Sequence, residues 1–147
     1  MNAMTPAILT IRHKIKLPKK NPVLHRLNNP KLDFTKGQDR MNWTARRRRF
    51  RQILEGNDCI TPATVFDPLS ARMVEGLGGQ VGMLAGSVAA MSILGAPDKM
   101  LITASEFADM ALRTCQAGDL AVIADADHGY GNAMNVQRTI RELDHSG

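Results

Sequence analysis

The stretch LAVIADADHGYGN, residues 120–132, constrains the fold more than any other part of this chain. Its five apolar residues lead straight into Asp125 and Asp127, and a Gly-Tyr-Gly turn then leads to Asn132, which can cap a helix. A short apolar run that ends in charge predicts a buried parallel strand whose polar end lies at the carboxyl edge of a sheet. Because the two aspartates are two residues apart, their carboxylates point to the same side. They indicate either a bound cation or the cap of a loop or helix.

Two further strand-to-helix units precede this stretch. The apolar runs 60–66 and 80–85 predict strands, and Asp67-Pro68 and Gly86-Ser87 predict the helix starts that follow them. Alternating strands and helices imply a parallel sheet with right-handed crossovers, in which functional sites gather at the carboxyl ends of the strands. Polar features of all three units therefore fall on one edge. The predicted helices cover residues 44–55, 69–77, 86–95, 107–116 and 133–145.

The turn formed by Gly86, Ser87 and Val88 is a candidate anion site. The glycine allows close approach of the backbone, and free N–H groups at a helix start favour an anion such as a carboxylate. The Ser87 hydroxyl adds a further donor. The alternative is an ordinary strand-to-helix turn that Ser87 caps.

Local signals predict several helix ends and buried faces. Thr44 is expected to cap the first helix, and Thr103 with Glu106 forms a capping box before another. The four arginines at 46–49 are expected to be the solvated face of an amphipathic helix rather than a nuclear-localisation or phosphate patch. The residues expected to share one side are Phe50, Ile53 and Leu54 in the first helix and Ala133, Val136, Ile140 and Leu143 in the last.

Charge is divided unequally along the chain. Residues 1–51 hold 14 of the 19 Lys and Arg residues with two aspartates, whereas residues 52–147 hold five basic and 12 acidic residues. High positive charge with low hydrophobicity predicts that residues 1–40 are a disordered basic extension, and that residues 41–147 form the folded domain. The acidic charge of the folded part argues against nucleic-acid binding by the fold.

Composition argues against a membrane protein and favours a reducing compartment. No apolar run approaches the roughly 20 residues that a membrane span requires. Cys59 and Cys115 lack the spacing of a zinc site or a CxxC motif. We therefore expect free thiols and a cytoplasmic location.

Three segments carry a resemblance to a known superfamily: VFDPLSAR (65–72), LAGSVAAMSILGAPD (84–98) and ADADHGYGN (124–132). Over about residues 42–147 the chain resembles the isocitrate lyase/phosphoenolpyruvate mutase superfamily, and most closely its oxaloacetate decarboxylase branch. The resemblance implies a (β/α)8 TIM barrel with Mg²⁺ at the carboxyl ends of its strands. A complete barrel needs roughly 250 residues. The three βα units here are therefore expected to be the N-terminal portion of a truncated α/β barrel.

The resemblance also implies roles for the carboxylates at this edge. Asp125 corresponds to the aspartate that binds the Mg²⁺ directly. Asp127 and Asp98 correspond to carboxylates that hold the metal's waters. Asp67 corresponds to a structural cap near the site.

On the substrate side, the resemblance implies that Ser87 and the N–H groups of the 86–88 turn bind a carboxylate of the substrate. Gly86, Ser87 and Val88 are the residues concerned, and Ser87 and Asp125 are the expected catalytic residues. His128, beside the aspartates, is interpreted either as a substrate contact or as a solvent-facing loop residue.

The activity that the resemblance implies is decarboxylation of oxaloacetate, a small 2-oxo acid, to pyruvate and CO₂ through a metal-stabilised enolate. Methylisocitrate lyase and phosphonopyruvate-type enzymes of the same superfamily are the alternatives. A phosphatase of the haloacid dehalogenase type also uses two aspartates after an apolar strand. A third possibility is an inactive fragment or a non-enzymatic module with a basic arm. The full-length enzyme is expected to be a homo-oligomer.

Overall fold

Three parallel strands and five helices make up the part of the chain that the structure, a computed structural model, describes: residues 43–126 and 128–147. The strands form one sheet in the order β1-β2-β3, which confirms the predicted parallel α/β arrangement. The expected disordered extension, residues 1–40, lies outside the described residues. The elements are α1 Thr44–Glu55, β1 Ala63–Thr64, α2 Pro68–Gly76, β2 Val81–Leu84, α3 Gly86–Leu94, α4 Ala104–Gln116, β3 Ala121–Ala124 and α5 Ala133–Ser146.

One face of the sheet packs against the helices. Gly82 lies beside Val122 in the register of β2 and β3, and Leu84 lies beside Ala124. Leu84 is fully buried in a cluster with residues of α3 and α4, and Val122 packs against this cluster. A side chain at Gly82 would meet Leu120 and Val65 at 3.0 Å, so a glycine is needed for close packing here.

The opposite face of the sheet, called the inner face below, comprises Thr64, Phe66, Met83 and Ile123. Thr64 and Ile123 both pair with Met83, and side chains alternate along a strand, so these residues share one side. Met83 and Ile123 are half-buried, Thr64 is exposed, and Phe66 is 40% exposed. This face is therefore open toward its carboxyl end.

The first strand is shorter than the predicted 60–66. The sheet pairing of β1 is limited to Ala63 and Thr64. Pro62 has no N–H group for a ladder, and the N–H groups of Phe66 and Asp67 donate to the Ser70 hydroxyl, at 3.0 and 3.1 Å. These two N–H groups therefore bond to the start of α2, and they are not available to extend the pairing of β1 with β2.

Capping boxes begin three of the helices; the sequence signals predicted the box at Thr103 and Glu106 and helix starts after Asp67 and Asn132. Asp67 caps α2 and Thr103 caps α4, each with a reciprocal side-chain bond from the third helical residue. Asn132 caps α5 in the same way, with Asn135 as its partner. The predicted cap of α1 was wrong: Trp43, not Thr44, occupies the N-cap position.

The prediction that the arginine run forms a solvated face holds for Arg47, Arg48 and Arg49, which are exposed, but was wrong for Arg46. Arg46 is 6% exposed, and its guanidinium donates to the carbonyl oxygens of Cys115, at 2.6 Å, and Gly118. Arg49 donates to the Asp119 carbonyl. Carbonyls at a helix C-terminus lack intrahelical donors and carry partial negative charge, which a guanidinium satisfies. Burial of Arg46 thus follows from the position of α1 beside the end of α4.

A second set of contacts ties α1 to the end of α5. Arg47 pairs with the Asp144 carboxylate at 2.8 Å and donates to the Gly147 carbonyl at 3.0 Å. The Trp43 indole N–H donates to the His145 carbonyl at 3.0 Å. The N-terminal helix therefore fastens the C-terminal ends of both α4 and α5.

The buried sides of the first and last helices differ from the predicted ones. Ile140 is 61% exposed and Leu54 is 67% exposed. In α5 the buried positions include Thr139 and Ser146, whose hydroxyls donate to the carbonyls of Gly129 and Glu142. Polar side chains with such partners can replace apolar ones on a packed face. The remaining predicted residues of the last helix divide between half-buried Val136 and Leu143 and exposed Ala133.

Within the described part of the chain, no helix has both the length and the apolar character that crossing a membrane requires.

Candidate active site

Asp125 lies directly beyond β3 at the carboxyl edge of the sheet. Its backbone N–H donates to the Leu84 carbonyl oxygen at 2.9 Å, so the pairing of β2 and β3 continues one residue past the strand. Asp125 is exposed, and alternation from Ile123 places it on the inner-face side. Asp127, its predicted companion, lies outside the described residues.

The start of α3 lies beside Asp125, because α3 begins two residues after Leu84. Ala85 is the N-cap, and the first helical hydrogen bond is donated by Ala89 to the Ala85 carbonyl at 3.0 Å. The N–H groups of residues 86–88 precede that bond, and the N-cap residue Ala85 makes no side-chain bond to them. The alternative prediction, a Ser87 cap, was therefore wrong. Ser87 lies within the first turn and is exposed.

Gly86 and Val88 complete this turn. Gly86 is buried, and Val88 is half-buried. The first N–H groups of an α-helix are donors without intrahelical acceptors and lie at its positive end. The turn can therefore bind an anion such as a carboxylate next to Asp125.

Asp98 lies in the exposed loop between α3 and α4. The end of this loop is anchored by Ile102, which is 4% exposed and packs in the same cluster as Leu84 and Ala89. The end of the loop therefore packs beside Leu84, the last residue of β2. Across the described residues, no three His, Cys, Asp or Glu side chains are grouped closely enough to hold a metal. The structure thus does not join Asp98 and Asp125 in such a group.

Asp67 also follows a strand at this edge, but its carboxylate is used locally. Its Oδ1 accepts a 2.6 Å hydrogen bond from the Ser70 N–H. The Ser70 hydroxyl in turn accepts from the Asp67 N–H. Through these bonds Asp67 acts as a structural cap at the start of α2.

The loop between Asp125 and α5 requires both of its glycines. Gly129, Tyr130 and Gly131 all have positive φ, at 78°, 62° and 144°. A side chain at Gly129 would lie 2.6 Å from the Val136 side chain, and one at Gly131 would lie 2.6 Å from the Asn135 side chain. The Gly-Tyr-Gly sequence therefore sets the path of this loop.

Tyr130 anchors the same loop to the core, a role that the sequence interpretation missed. Its ring centroid is 6.0 Å from that of Phe107, a fully buried residue of α4. The centroid of the exposed His128 ring lies 5.2 Å from that of the Tyr130 ring. The signal available in the sequence was an aromatic residue between two glycines. Positive φ is uncommon for a non-glycine residue, so packing of the Tyr130 ring must hold the backbone in this conformation.

A cavity of about 580 Å³ lies at the other, amino-terminal edge of the sheet. Its lining includes Arg49 of α1, Glu75 of α2, and Asp58 and Asp119 from loops before the strands. The Glu75 carboxylate accepts hydrogen bonds from the Asp119 N–H. This cavity is separated from Asp125 by the length of the strands and belongs to the packing of α1 against the domain.

The phosphoenolpyruvate phosphomutase family model matches residues 50–147. Oxaloacetate decarboxylase 1 of Pseudomonas fluorescens (strain Pf0-1) is 58% identical over 101 residues, which are 69% of this chain and 35% of that protein. Oxaloacetate decarboxylase of Rhodopseudomonas palustris (strain BisB18) is 52% identical over 107 residues, 73% of this chain and 37% of the relative.

Solved structures agree with these matches. The crystal structure of 2,3-dimethylmalate lyase, a PEP mutase/isocitrate lyase superfamily member, has a TM-score of 0.64 and 30% identity over 71% of this chain and 38% of that one. The chain thus spans little more than a third of the length of these relatives. The parallel strands, the aspartate after β3 and these matches together show that this chain belongs to the phosphoenolpyruvate phosphomutase family of the isocitrate lyase/PEP mutase superfamily.

Proposed function

We propose that this chain forms the first part of a (β/α)8 barrel lyase that converts oxaloacetate to pyruvate and CO₂. The observation that carries the proposal is the position of Asp125 beside the start of α3, to which it is linked through the 2.9 Å bond from the Asp125 N–H to the Leu84 carbonyl. This arrangement puts an exposed carboxylate next to donors for an anion. The names of the relatives from Pseudomonas and Rhodopseudomonas support oxaloacetate as the substrate.

The start of α3 would orient the substrate. Its first N–H groups, with the Ser87 hydroxyl, supply several hydrogen-bond donors to one carboxylate of oxaloacetate. Charge-assisted hydrogen bonds of this kind hold an anion in a fixed orientation. Binding this carboxylate would leave the keto group directed toward the side of the edge where Asp125 lies.

Asp125 would hold a divalent metal ion, for which Mg²⁺ is the proposed identity. A carboxylate is the ligand type that this hard cation prefers, and Mg²⁺ is usually held by one or two carboxylates with waters and substrate oxygens completing its shell. An exposed Asp125 fits such a site without a group of three protein ligands. Asp98 and Asp127 are proposed to hold the waters. When bound, the ion supplies Lewis-acid stabilisation of negative charge on an oxygen.

The proposed reaction needs no nucleophile from this chain. The bond from C3 to the distal carboxylate breaks, its electron pair moves toward the 2-keto oxygen, and CO₂ leaves. A proton from solvent then goes to C3 and gives pyruvate. The contribution of the described residues is binding and orientation, which hold the breaking bond where charge can pass to the keto oxygen.

A chimaera tests this proposal. In it, residues 43–147 of this chain replace the matching segment of the Pseudomonas oxaloacetate decarboxylase 1, and CO₂ release from oxaloacetate is measured with and without Mg²⁺. We expect Mg²⁺-dependent activity that Asp125→Asn lowers by at least about 100-fold. Asp58→Asn, an exposed aspartate at the amino-terminal edge, is the matched control and should retain activity. A folded chimaera without activity, or full activity in Asp125→Asn, would contradict the proposal.

A second candidate is a phosphonopyruvate-type reaction, which the match of the phosphoenolpyruvate phosphomutase model to residues 50–147 favours. The same carboxylate and anion sites would serve that substrate class. Conversion of phosphoenolpyruvate by the chimaera, in the absence of CO₂ release from oxaloacetate, would favour this candidate. The chain of 147 residues, assayed by itself in parallel, tests the further prediction that it is inactive alone.

A further inference from the structure

The His128 side chain is held in place by ring contacts, although it is exposed. The centroid of its imidazole lies 5.2 Å from that of the Tyr130 ring. Tyr130 in turn packs against Phe107, which is fully buried, with 6.0 Å between the ring centroids. Because these two contacts connect the imidazole to the core, its position is restricted more than that of an ordinary side chain on an exposed loop.

The backbone of Tyr130 adopts a conformation that a side chain disfavours. Its φ is 62°, and among the described residues only Met100 also has a positive φ without being a glycine. Glycines stand on both sides of Tyr130, and a third glycine would fit this loop with less strain. The ring therefore offsets the strain through its contacts with Phe107 and His128, and such over-determined residues are typical of functional loops.

The path of the loop keeps His128 close to Asp125. The Gly129 N–H donates to the Ala126 carbonyl at 2.9 Å, which closes a four-residue turn with His128 as its third residue. Three residues separate His128 from Asp125, so their Cα atoms are at most roughly 11 Å apart. A small ligand at Asp125 thus has the start of α3, after β2, and the His128 loop, after β3, as its neighbours.

We propose that His128 binds the distal carboxylate of a dicarboxylic 2-oxo acid, and that Tyr130 is the residue that positions it. The inference rests on the proposed function, in which the start of α3 binds the other carboxylate and the keto group is directed toward Asp125. An imidazole carries at least one N–H donor whether it is neutral or charged, so the contact does not depend on its protonation state. His128 would thus select four-carbon dicarboxylic acids over monocarboxylic acids of the same backbone.

This contact contributes to binding and not to the chemical step. The distal carboxylate leaves as CO₂, and its negative charge moves toward the keto oxygen as the bond breaks. A donor on the departing group is therefore no stronger in the transition state than in the bound substrate. Loss of such an interaction raises KM and does not lower kcat.

Binding of malate and of lactate to the chimaera tests the proposal. The two acids differ only by the distal carboxylate, and neither has a keto group that could accept the electron pair of a departing CO₂. Calorimetry with Mg²⁺ present measures both affinities for the unmodified chimaera and for His128→Phe, which keeps an aromatic ring beside Tyr130 but removes the N–H donor. We expect the Kd of malate to rise at least about tenfold and that of lactate to change by less than about twofold.

The matched control is His145→Phe. His145 is an exposed histidine of α5 whose backbone carbonyl, not its ring, bonds to Trp43, so this variant should bind malate as the unmodified chimaera does.

Two variants test the positioning role of Tyr130. Tyr130→Phe keeps a ring beside His128 and should bind malate as before. Tyr130→Leu removes the ring contact, so malate should bind at least about threefold more weakly while the affinity for lactate stays unchanged. Loss of both acids in Tyr130→Leu would mean that Tyr130 supports the whole loop and not His128 in particular.

Two results would overturn the role of His128: no preference of the unmodified chimaera for malate over lactate, or a preference that His128→Phe leaves intact. In an active chimaera, His128→Phe should raise the KM for oxaloacetate, and a fall in kcat with an unchanged KM would also contradict the proposal. A preference for malate that depends on His128, in a chimaera that releases no CO₂ from oxaloacetate, would support this inference and contradict the proposed function.

Discussion

The Asp125 N–H donates a 2.9 Å hydrogen bond to the Leu84 carbonyl oxygen, and this bond fixes the relative positions of the two polar strand ends. Leu84 is fully buried in the cluster that also holds Phe107 and Ile102. The backbone of Asp125 is therefore attached to a residue that the core immobilises. The start of α3 also follows Leu84. The Asp125 carboxylate and the N–H groups at the start of α3 are therefore held by the same rigid part of the backbone.

Arg46→Ala should destabilise the domain strongly, because it removes the donor to two carbonyls at the end of α4. The Cys115 carbonyl would be left buried without this donor, and an unsatisfied buried group costs about 1–3 kcal/mol. With the lost packing of the buried side chain, we expect the free energy of unfolding in urea to fall by at least about 2 kcal/mol.

The matched control for this prediction is Arg48→Ala. Arg48 is exposed in the same helix, and its replacement should change the free energy of unfolding by less than about 0.5 kcal/mol. Equal effects of the two substitutions would show that burial of Arg46 contributes nothing specific.

Gly129→Ala should cost more stability than Gly95→Ala, although both glycines have positive φ. A side chain at Gly95 meets open space, so only the backbone penalty of about 1 kcal/mol applies. A side chain at Gly129 would be 2.6 Å from Val136, and the added clash should raise the loss to about 2–4 kcal/mol. Thermal and urea unfolding of the two variants measure the difference, and similar losses would contradict the placement of the loop.

The helix ends were predictable because their signals are local. Asp67, Thr103 and Asn132 each bond to a backbone N–H two or three residues ahead, so a few neighbouring residues contain the whole interaction. The location of Asp125 and Gly86 at one edge was also predictable. Strands that alternate with helices form a parallel sheet, and all strands of such a sheet end at the same edge.

The burial of Arg46 and the buried face of α5 could not be predicted in the same way. Arg46 is buried because it donates to the carbonyl of Cys115, 69 positions away in the sequence. The residues near Arg46 contain no signal of this contact. Thr139 is buried because it bonds to Gly129 across a turn. The roles of Asp98 and Asp127 stay predictions for the same reason, because metal and substrate contacts depend on residues brought together by the whole fold.

Cys115 should make the domain less stable at alkaline pH. Burial raises the pKa of its thiol, and the nearby Arg46 and Arg47 guanidinium groups oppose this only in part. The folded state therefore holds its proton to higher pH than the unfolded state. The stabilisation is fully present below the usual thiol pKa of about 8.5 and is lost as pH rises through the folded-state pKa.

The measurement is the free energy of unfolding from pH 7 to 10 under reducing conditions. Cys115→Ala should flatten the alkaline decline, whereas Cys59→Ala, at an exposed thiol, should leave it unchanged. Alkylation of the native protein should modify Cys59 first. Rapid modification of Cys115 at pH 7 would contradict its burial.

Glu106 should make the opposite contribution, at acid pH. The backbone N–H and the hydroxyl of Thr103 both donate to its carboxylate, at 2.9 and 2.7 Å, and lower its pKa. The charged form is favoured in the folded state, so the stabilisation is present above the usual pKa of a glutamate and is lost as pH falls through the lowered value. Titration of the Glu106 side-chain carbon by NMR should show the low pKa, and Thr103→Val should raise it by removing the hydroxyl donor. Because the backbone donor remains in that variant, a partial rise is expected; an unchanged pKa would mean that the hydroxyl bond contributes nothing to the capping box.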